Sequence, residues 1–432
     1  MLCLPGSTAV FTTAWIIFFQ ATKNDAAAAE ERALSQRKRL RKLVEFFPEP
    51  AKRDYFLIGT DVTPAPRQFS KTLEDRQIVH APNPAPGNKP IAVGHQFSCV
   101  AFLPEKEGKH HPPWAIPLCV NRVTSQETGN DTAIAQIHNL MTDKDLPFKD
   151  SLTVNVADSA YGIARFLAKQ YRHDNLITVA RSRANRVFFH QPDQTIRKGP
   201  GRAKSFGKPF RMKSPETWGD PNYTASETNQ LRSGEEISVQ IKTWNDILMR
   251  GKRHAPMHDK PFTLIQVQVF REDGSLLFKR PLWLIVHGKR RSELSPLDAW
   301  HAYRQRYDLE HFFRFGKNRL LLNSYQTPEV EHEENWWEIA SLAYFQLWVA
   351  KELAQSVPTP WEKYAAPADS SVPLSPSMVQ RDFERIIQQT GARLPEPKPR
   401  GKPSGRKQGE SSGRRERHPP IFKGKKDKSK AA

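Results

Sequence analysis

Two apolar runs, Tyr55-Phe-Leu-Ile-Gly-Thr60 and Leu152-Thr-Val-Asn-Val-Ala157, each stop at an aspartate, Asp61 and Asp158. Runs this short fit buried strands better than helices, so each reads as a strand with a carboxylate at its tip. Two further strand-like runs lie between them, Pro90–Leu103 and Trp114–Val123, and Leu176–Phe189 follows. Helical patterns occupy Thr124–Met141 and Gly162–Gln170. A strand-rich start followed by alternation of strand and helix predicts a mixed α/β sheet. In such a sheet, carboxylates at strand tips lie at the edge where open α/β folds place their sites.

Between Gln191 and Ser295 the character changes. Residues 197–213 hold seven Lys and Arg, no acid, and the aromatics Phe206 and Phe210. Three β-like runs come next, Glu236–Thr243, Phe262–Phe270 and Pro281–His287. This stretch reads as a β-rich insertion. Ser295 then has the chemistry of an N-cap, Pro296 suits the first helical position and Asp298 the third, so a long helix is expected to run at least to Gly316. Thr327-Pro328 and the acids behind it open another helix, and Ser377–Thr390 reads as a last short one, closed by Gly391.

The net charge of +20 favours polyanionic partners. Half of it sits in residues 397–432, which carry 13 Lys and Arg against Glu410, Glu416 and Asp427. That Pro-, Gly- and Lys-rich end is expected to be a disordered, non-specific electrostatic arm. Cys3, Cys99 and Cys119 form no metal-binding or disulfide pattern, which fits a reducing compartment. The apolar run Ala9–Ala21 is too short for a confident membrane span and lacks the charged start of a signal peptide. It reads as a core helix or a mis-assigned start, and no membrane association is expected. No Walker-type glycine loop occurs, so no nucleotide cofactor is expected. His254 and His258 flank Pro256, and His110-His111 precede two prolines; both pairs read as loops.

The chemistry-bearing pattern lies in the helix after Ser295. Tyr303, Arg306, Glu310 and Lys317 are spaced by 3, 4 and 7 residues and share one helical face. A carboxylate is thus bracketed by an aromatic hydroxyl and two cations. Each element also has an ordinary reading: an aspartate after a strand is a common turn residue, and Arg306 with Glu310 is a standard i,i+4 pair. Three carboxylates drawn together without thiolates would suit a hard divalent ion.

The spacing Tyr-x2-Arg-x3-Glu-x6-Lys resembles the signature of the DDE-class insertion-sequence transposases, the cut-and-paste group with a β insertion before the last acid. The contexts Leu57-Ile-Gly-Thr-Asp61-Val-Thr63 and Asn155-Val-Ala-Asp158-Ser-Ala-Tyr161 resemble that family's first two acidic strands, and the likeness spans about residues 54–355. The resemblance implies an RNase H-like mixed sheet with helices, interrupted by a β-rich insertion before the catalytic helix. It implies that Asp61, Asp158 and Glu310 are catalytic and hold two Mg²⁺ ions, for which Mn²⁺ substitutes. It implies hydrolysis of phosphodiester bonds at transposon ends, strand transfer into target DNA, and a homodimer that pairs two ends. Tyr303, Arg306 and Lys317 would grip phosphates, and Trp283 would stack on a base flipped from the end; a core tryptophan is the equally open reading of that residue.

The expected organisation is a short N-terminal helical segment at 1–53, truncated or diverged relative to the family. It is followed by a first part of the catalytic core at 54–190, the insertion at 191–295, the catalytic and C-terminal helices at 296–392, and the basic tail at 393–432. The basic loop 197–213 is expected to track a DNA strand, a solvated loop being the plainer alternative. Double-stranded DNA, as transposon ends and target, is the expected partner, and the expected location is cytoplasmic, associated with the nucleoid. The alternative function is a transposase-derived DNA-binding protein that has lost transposition.

Overall fold

In the computed structural model, residues 29–80, 90–106, 111–193, 204–231, 233–359, 373–390, 409 and 413–422 are described. The apolar run 9–21, residues 197–203 of the basic loop and most of the basic tail lie outside them. Seven α-helices are described: α1 (Ala29–Val44), α2 (Gly129–Thr142), α3 (Ala164–Gln170), α4 (Pro296–Gln305), α5 (Tyr307–Arg319), α6 (Val330–Ala350) and α7 (Pro376–Thr390). The strands are β1 (Phe56–Pro66), β2 (Gln77–His80), β3 (Ile91–Phe102), β4 (Ile116–Val123), β5 (Thr153–Ala157), β6 (Leu176–Ser182), β7 (Val187–Phe189), β8 (Pro209–Arg211), β9 (Tyr223–Gln230), β10 (Glu236–Ile247), β11 (Phe262–Arg271) and β12 (Leu282–His287).

One ten-stranded sheet dominates, in the order β2-β3-β1-β5-β6-β12-β11-β10-β9, with β4 also paired to β3. Strands β1, β3 and β4 pair antiparallel, whereas β1, β5 and β6 run parallel. This mixed α/β arrangement fits an RNase H-like DDE fold. Of the parallel strands, β5 is buried along its whole length and β6 at every residue but Arg181, as the continuous apolar runs anticipate. Beyond β6, the antiparallel strands β12, β11, β10 and β9 extend the same sheet outward. The exposed edge strand β9 alternates exposed and half-buried residues, which is why its polar sequence gave no strand signal. The single run expected at Leu176–Phe189 is two strands, β6 and β7, separated by a turn near Ala184 and Asn185.

Helix α6 is tied to the sheet by Trp337, whose ring stacks on Phe97 of β3 at 4.1 Å. Helix α4 starts as its sequence dictates: the Ser295 hydroxyl accepts the Asp298 N–H at 3.1 Å. The long helix expected to run from Pro296 past Gly316 is interrupted, however. Helix α4 ends at Gln305 and α5 begins at Tyr307, with Arg306 as the joint.

Part of the basic tail is docked rather than free. The Ile421 N–H donates to the Arg76 carbonyl at 2.7 Å, the His418 N–H to the Lys71 carbonyl at 2.9 Å, and the buried Arg76 guanidinium to the His418 carbonyl at 2.7 Å. Residue Ile421 thereby bridges Gln77 on strand β2. Backbone hydrogen bonds and a buried cation that needs carbonyl partners hold this stretch, and neither is visible in composition. Among the described residues no helix is long and apolar enough to cross a membrane.

Candidate active site

The parallel ladder between β1 and β5 ends at the pair Thr60 and Ala157. Asp61 and Asp158 are therefore the next residues on two adjacent strands, which lie about 4.8 Å apart in a sheet. Asp61 is not the tip of its strand: β1 continues to Pro66, paired with β3 alone, and Asp61 opposes Cys99. Behind the acids, the Thr60 hydroxyl donates to the Asn155 Oδ1 at 2.7 Å, and both residues are fully buried. This bond links the two strands on the sheet face opposite the Asp61 side chain.

Side chains alternate along β1, so Gly59, Asp61 and Thr63 share one face. A Cβ on Gly59 would lie 3.1 Å from Leu103 Cδ1 and 3.7 Å from Leu309 Cδ2. Leu309 thus packs α5 on β1 at ordinary contact distance, and α5 carries Glu310. The Lys317 ammonium donates to the Thr63 hydroxyl at 2.6 Å. Arg306 joins the acids: its guanidinium donates to Asp61 Oδ2 at 3.2 Å and to Glu310 Oε1 at 2.5 Å. Its guanidinium carbon also lies 5.9 Å from the centre of the Tyr303 ring. The neighbouring acid Asp308 is turned elsewhere, to Lys106 at 2.9 Å.

The side chains of Arg306, Asp61 and Glu310 are 15%, 20% and 39% exposed, so the site opens to solvent on the Glu310 side. Burial raises the Asp61 carboxyl from its ordinary 3.8 to about 6. Arg306 and the Val62 N–H pull it down, while the charges of Asp158 and Glu310 push it further up. Asp61 therefore feels the charges of both other acids. Burial lowers the Lys317 ammonium to about 8, with Asp61 acting in the opposite sense. Burial also raises the Tyr303 hydroxyl, against the opposing pull of Arg306 and Arg181. Asp158 Oδ1 accepts the Ala160 N–H at 2.8 Å, the hydrogen bond of the turn-forming aspartate that the sequence also allowed.

The structure thus brings Asp61, Asp158, Glu310, Tyr303, Arg306 and Lys317 together. Thr63 was missed in the sequence, although the period-two alternation from Asp61 points to it. Trp283 takes a different place. It is 1% exposed and packs edge-on against Trp218 at 5.2 Å and Phe210 at 6.1 Å, and tilted against Trp244 at 5.7 Å. Its ring is enclosed among these aromatics, the core placement that the sequence left as open as base stacking. In the basic loop, Phe210 is likewise buried, and Phe206 packs on Phe189 at 5.2 Å under Arg250.

Three carboxylates with no competing thiolate are the donor set of a hard divalent cation, and the mutual repulsion felt at Asp61 is what such an ion relieves. The chemistry of the residues fits. The arrangement is not that of a closed ion site, because among the described residues no group of three or more His, Cys, Asp or Glu is placed to hold one. The Arg306 guanidinium lies between two of the three acids and supplies the positive charge.

Comparison with known families gives a match to the DDE superfamily endonuclease model over residues 19–250, more than half of the 432-residue chain. The chain belongs to this family of transposase-type nucleases. The matched region includes Asp61 and Asp158 and ends before Glu310. Comparison with curated proteins returned no match.

Proposed function

We propose that this protein is a DDE transposase that hydrolyses phosphodiester bonds at transposon ends and transfers the freed strand into target DNA. The observation that supports the reading is that the Arg306 guanidinium joins Asp61 of a central strand to Glu310 of a helix, while the charge of Asp158, from the adjacent parallel strand, also acts on Asp61. Asp61, Asp158 and Glu310 would hold two divalent ions, Mg²⁺ or Mn²⁺. Such ions, when bound, activate an attacking oxygen and stabilise the leaving one.

The rest of the chemistry belongs to the chain. The Thr60–Asn155 bond fixes the spacing of the two aspartates. Lys317, anchored on Thr63, and Arg306 offer cations to the scissile-strand phosphates, and Tyr303 offers a hydroxyl beside them. The strands between Asp158 and Glu310 read as the insertion of the cut-and-paste group, with residues 191–295 as its extent. Double-stranded DNA is the substrate, and two copies of the chain would pair two ends.

The test is nicking, with Mg²⁺, of a supercoiled plasmid carrying the DNA that borders the gene on both sides. Asp61→Ala, Asp158→Ala and Glu310→Ala should each abolish nicking while retaining DNA binding. Full cleavage by all three variants would refute the assignment. Binding by the wild type without any metal-dependent nicking would favour the transposase-derived binding protein.

A further inference from the structure

We infer that Arg306 is an exchangeable counter-ion that keeps the acidic site closed to metal until a DNA phosphate draws the guanidinium away. This inference rests on the proposed metal-dependent reading of the site and adds a gate to it.

The geometry gives one cation two employers. The terminal nitrogens of Arg306 contact Asp61 and Glu310 at 3.2 and 2.5 Å, so a single planar group neutralises an acid from β1 and an acid from α5 at once. A divalent ion bridging the same oxygens would place its charge against the guanidinium, and two like charges a few Å apart repel strongly in a partly buried site. Arg306 and the ion are therefore competitors in this arrangement.

The backbone places the side chain at the corner between two helices. Arg306 is the joint between α4 and α5, with its N–H bonded to the Tyr303 carbonyl at 3.1 Å, so the residue belongs to neither regular helix. Its exchange partner follows from chemistry. Guanidinium binds phosphate through two parallel hydrogen bonds as well as it binds carboxylate, and the site is open on the Glu310 side. A strand phosphate arriving there offers Arg306 a new anion. The departing guanidinium leaves Asp61 and Glu310 uncompensated, and a metal ion restores the balance. DNA and metal then bind with positive coupling, and by linkage each tightens the other to the same extent.

The test needs no turnover. Binding of Mn²⁺ is measured by calorimetry and electron paramagnetic resonance, with and without a random-sequence DNA duplex, for wild type, Arg306→Met, Arg306→Gln and Arg306→Lys, each checked for folding by thermal melt. The wild type should bind Mn²⁺ weakly alone and on the order of tenfold more tightly with DNA, the scale set by one opposed unit charge nearby. Arg306→Met and Arg306→Gln should bind Mn²⁺ tightly without DNA and show little coupling; Arg306→Lys should stay near wild type. If folded Arg306→Met binds Mn²⁺ no better than wild type, the gate is refuted. If it binds better but DNA has no effect on the wild type, the phosphate half of the inference falls. Adding Asp61→Asn to Arg306→Met separates this from the site assignment itself. Undiminished Mn²⁺ binding in the double variant would place the ion elsewhere and overturn the metal reading, and so would no Mn²⁺ binding by any of the proteins.

Discussion

Arg67 Nε lies 2.8 Å from Glu333 Oε1, and both side chains are fully buried. The pair ties the end of the long β1 hairpin to helix α6, and His95 of β3 contacts the other oxygen of Glu333. Arg67 also donates to the carbonyls of Pro66 and Asn323, so the loop leading from α5 to α6 is held by the same side chain. Removing one member strands a charge in the core. Glu333→Gln or Arg67→Met should each lower unfolding stability by about 3–5 kcal/mol. The double variant Arg67→Met with Glu333→Gln should cost clearly less than the sum. Denaturant titration of the three variants measures this, and additive losses would show that the two side chains do not act as a pair.

Trp283 separates a packing role from a DNA-stacking role. As the centre of a cluster with Phe210, Trp218 and Trp244, its truncation to Ala should cost about 3–5 kcal/mol of stability. Trp283→Phe should fold and leave DNA affinity unchanged. A loss of tenfold or more in the folded Phe variant, the scale of about 1–3 kcal/mol for a stacked base, would return Trp283 to the DNA interface.

Asp61 stores a cost of function. Its folded pKa of about 6 lies above the ordinary 3.8, chiefly through burial, so the folded chain holds the proton more tightly than the unfolded chain. The contribution to stability is complete below about pH 4 and is lost as pH rises through 6. In metal-free buffer at pH 7, Asp61→Asn should therefore be more stable than wild type, by about 2–3 kcal/mol. The advantage should vanish at pH 4. Calorimetric melts at the two pH values decide it.

His287 predicts the opposite limb. Burial, followed by the charges of Arg291 and Lys260, lowers it from 6.5 to about 3, and neither ring nitrogen has a hydrogen-bond partner. A depressed folded pKa gives stability that is present above pH 6.5 and lost as pH falls toward 3. Between pH 7 and 5 the wild type should lose about 2 kcal/mol more than His287→Leu. Parallel acid-limb profiles for the two proteins would show that His287 does not titrate in this way.

The parts of the fold that were legible in the sequence are those in which one local rule decides. Runs 55–60 and 152–157 are apolar on both faces and became the central parallel strands. Ser295-Pro296 became a helix start because capping depends only on neighbours in sequence. Strands β2, β8 and β9 were not legible, since short or polar edge strands are defined by their partners. The break at Arg306 was not legible either. Residues 296–319 carry an uninterrupted helical pattern, and the joint coincides with a side chain drawn to an acid on another element. The four-residue spacing on the helix was read from sequence alone, whereas the burial of Trp283 followed from Trp218 and Trp244, which lie 65 and 39 positions away.

The sequence by itself determined which side chains could carry the chemistry. It set two aspartates at the ends of apolar runs and one glutamate flanked by cations at helical spacing, because strand and helix periodicities are local properties of the chain. Only the tertiary structure decided that these groups meet. The β1–β5 register sets Asp61 beside Asp158, and Leu309 packs α5 on β1. A guanidinium from the joint between two helices then spans Asp61 and Glu310. Asp158 and Glu310 are 152 positions apart. Charges so distant in sequence interact only after strand pairing and burial have brought them within a few Å, and no local pattern encodes that energy.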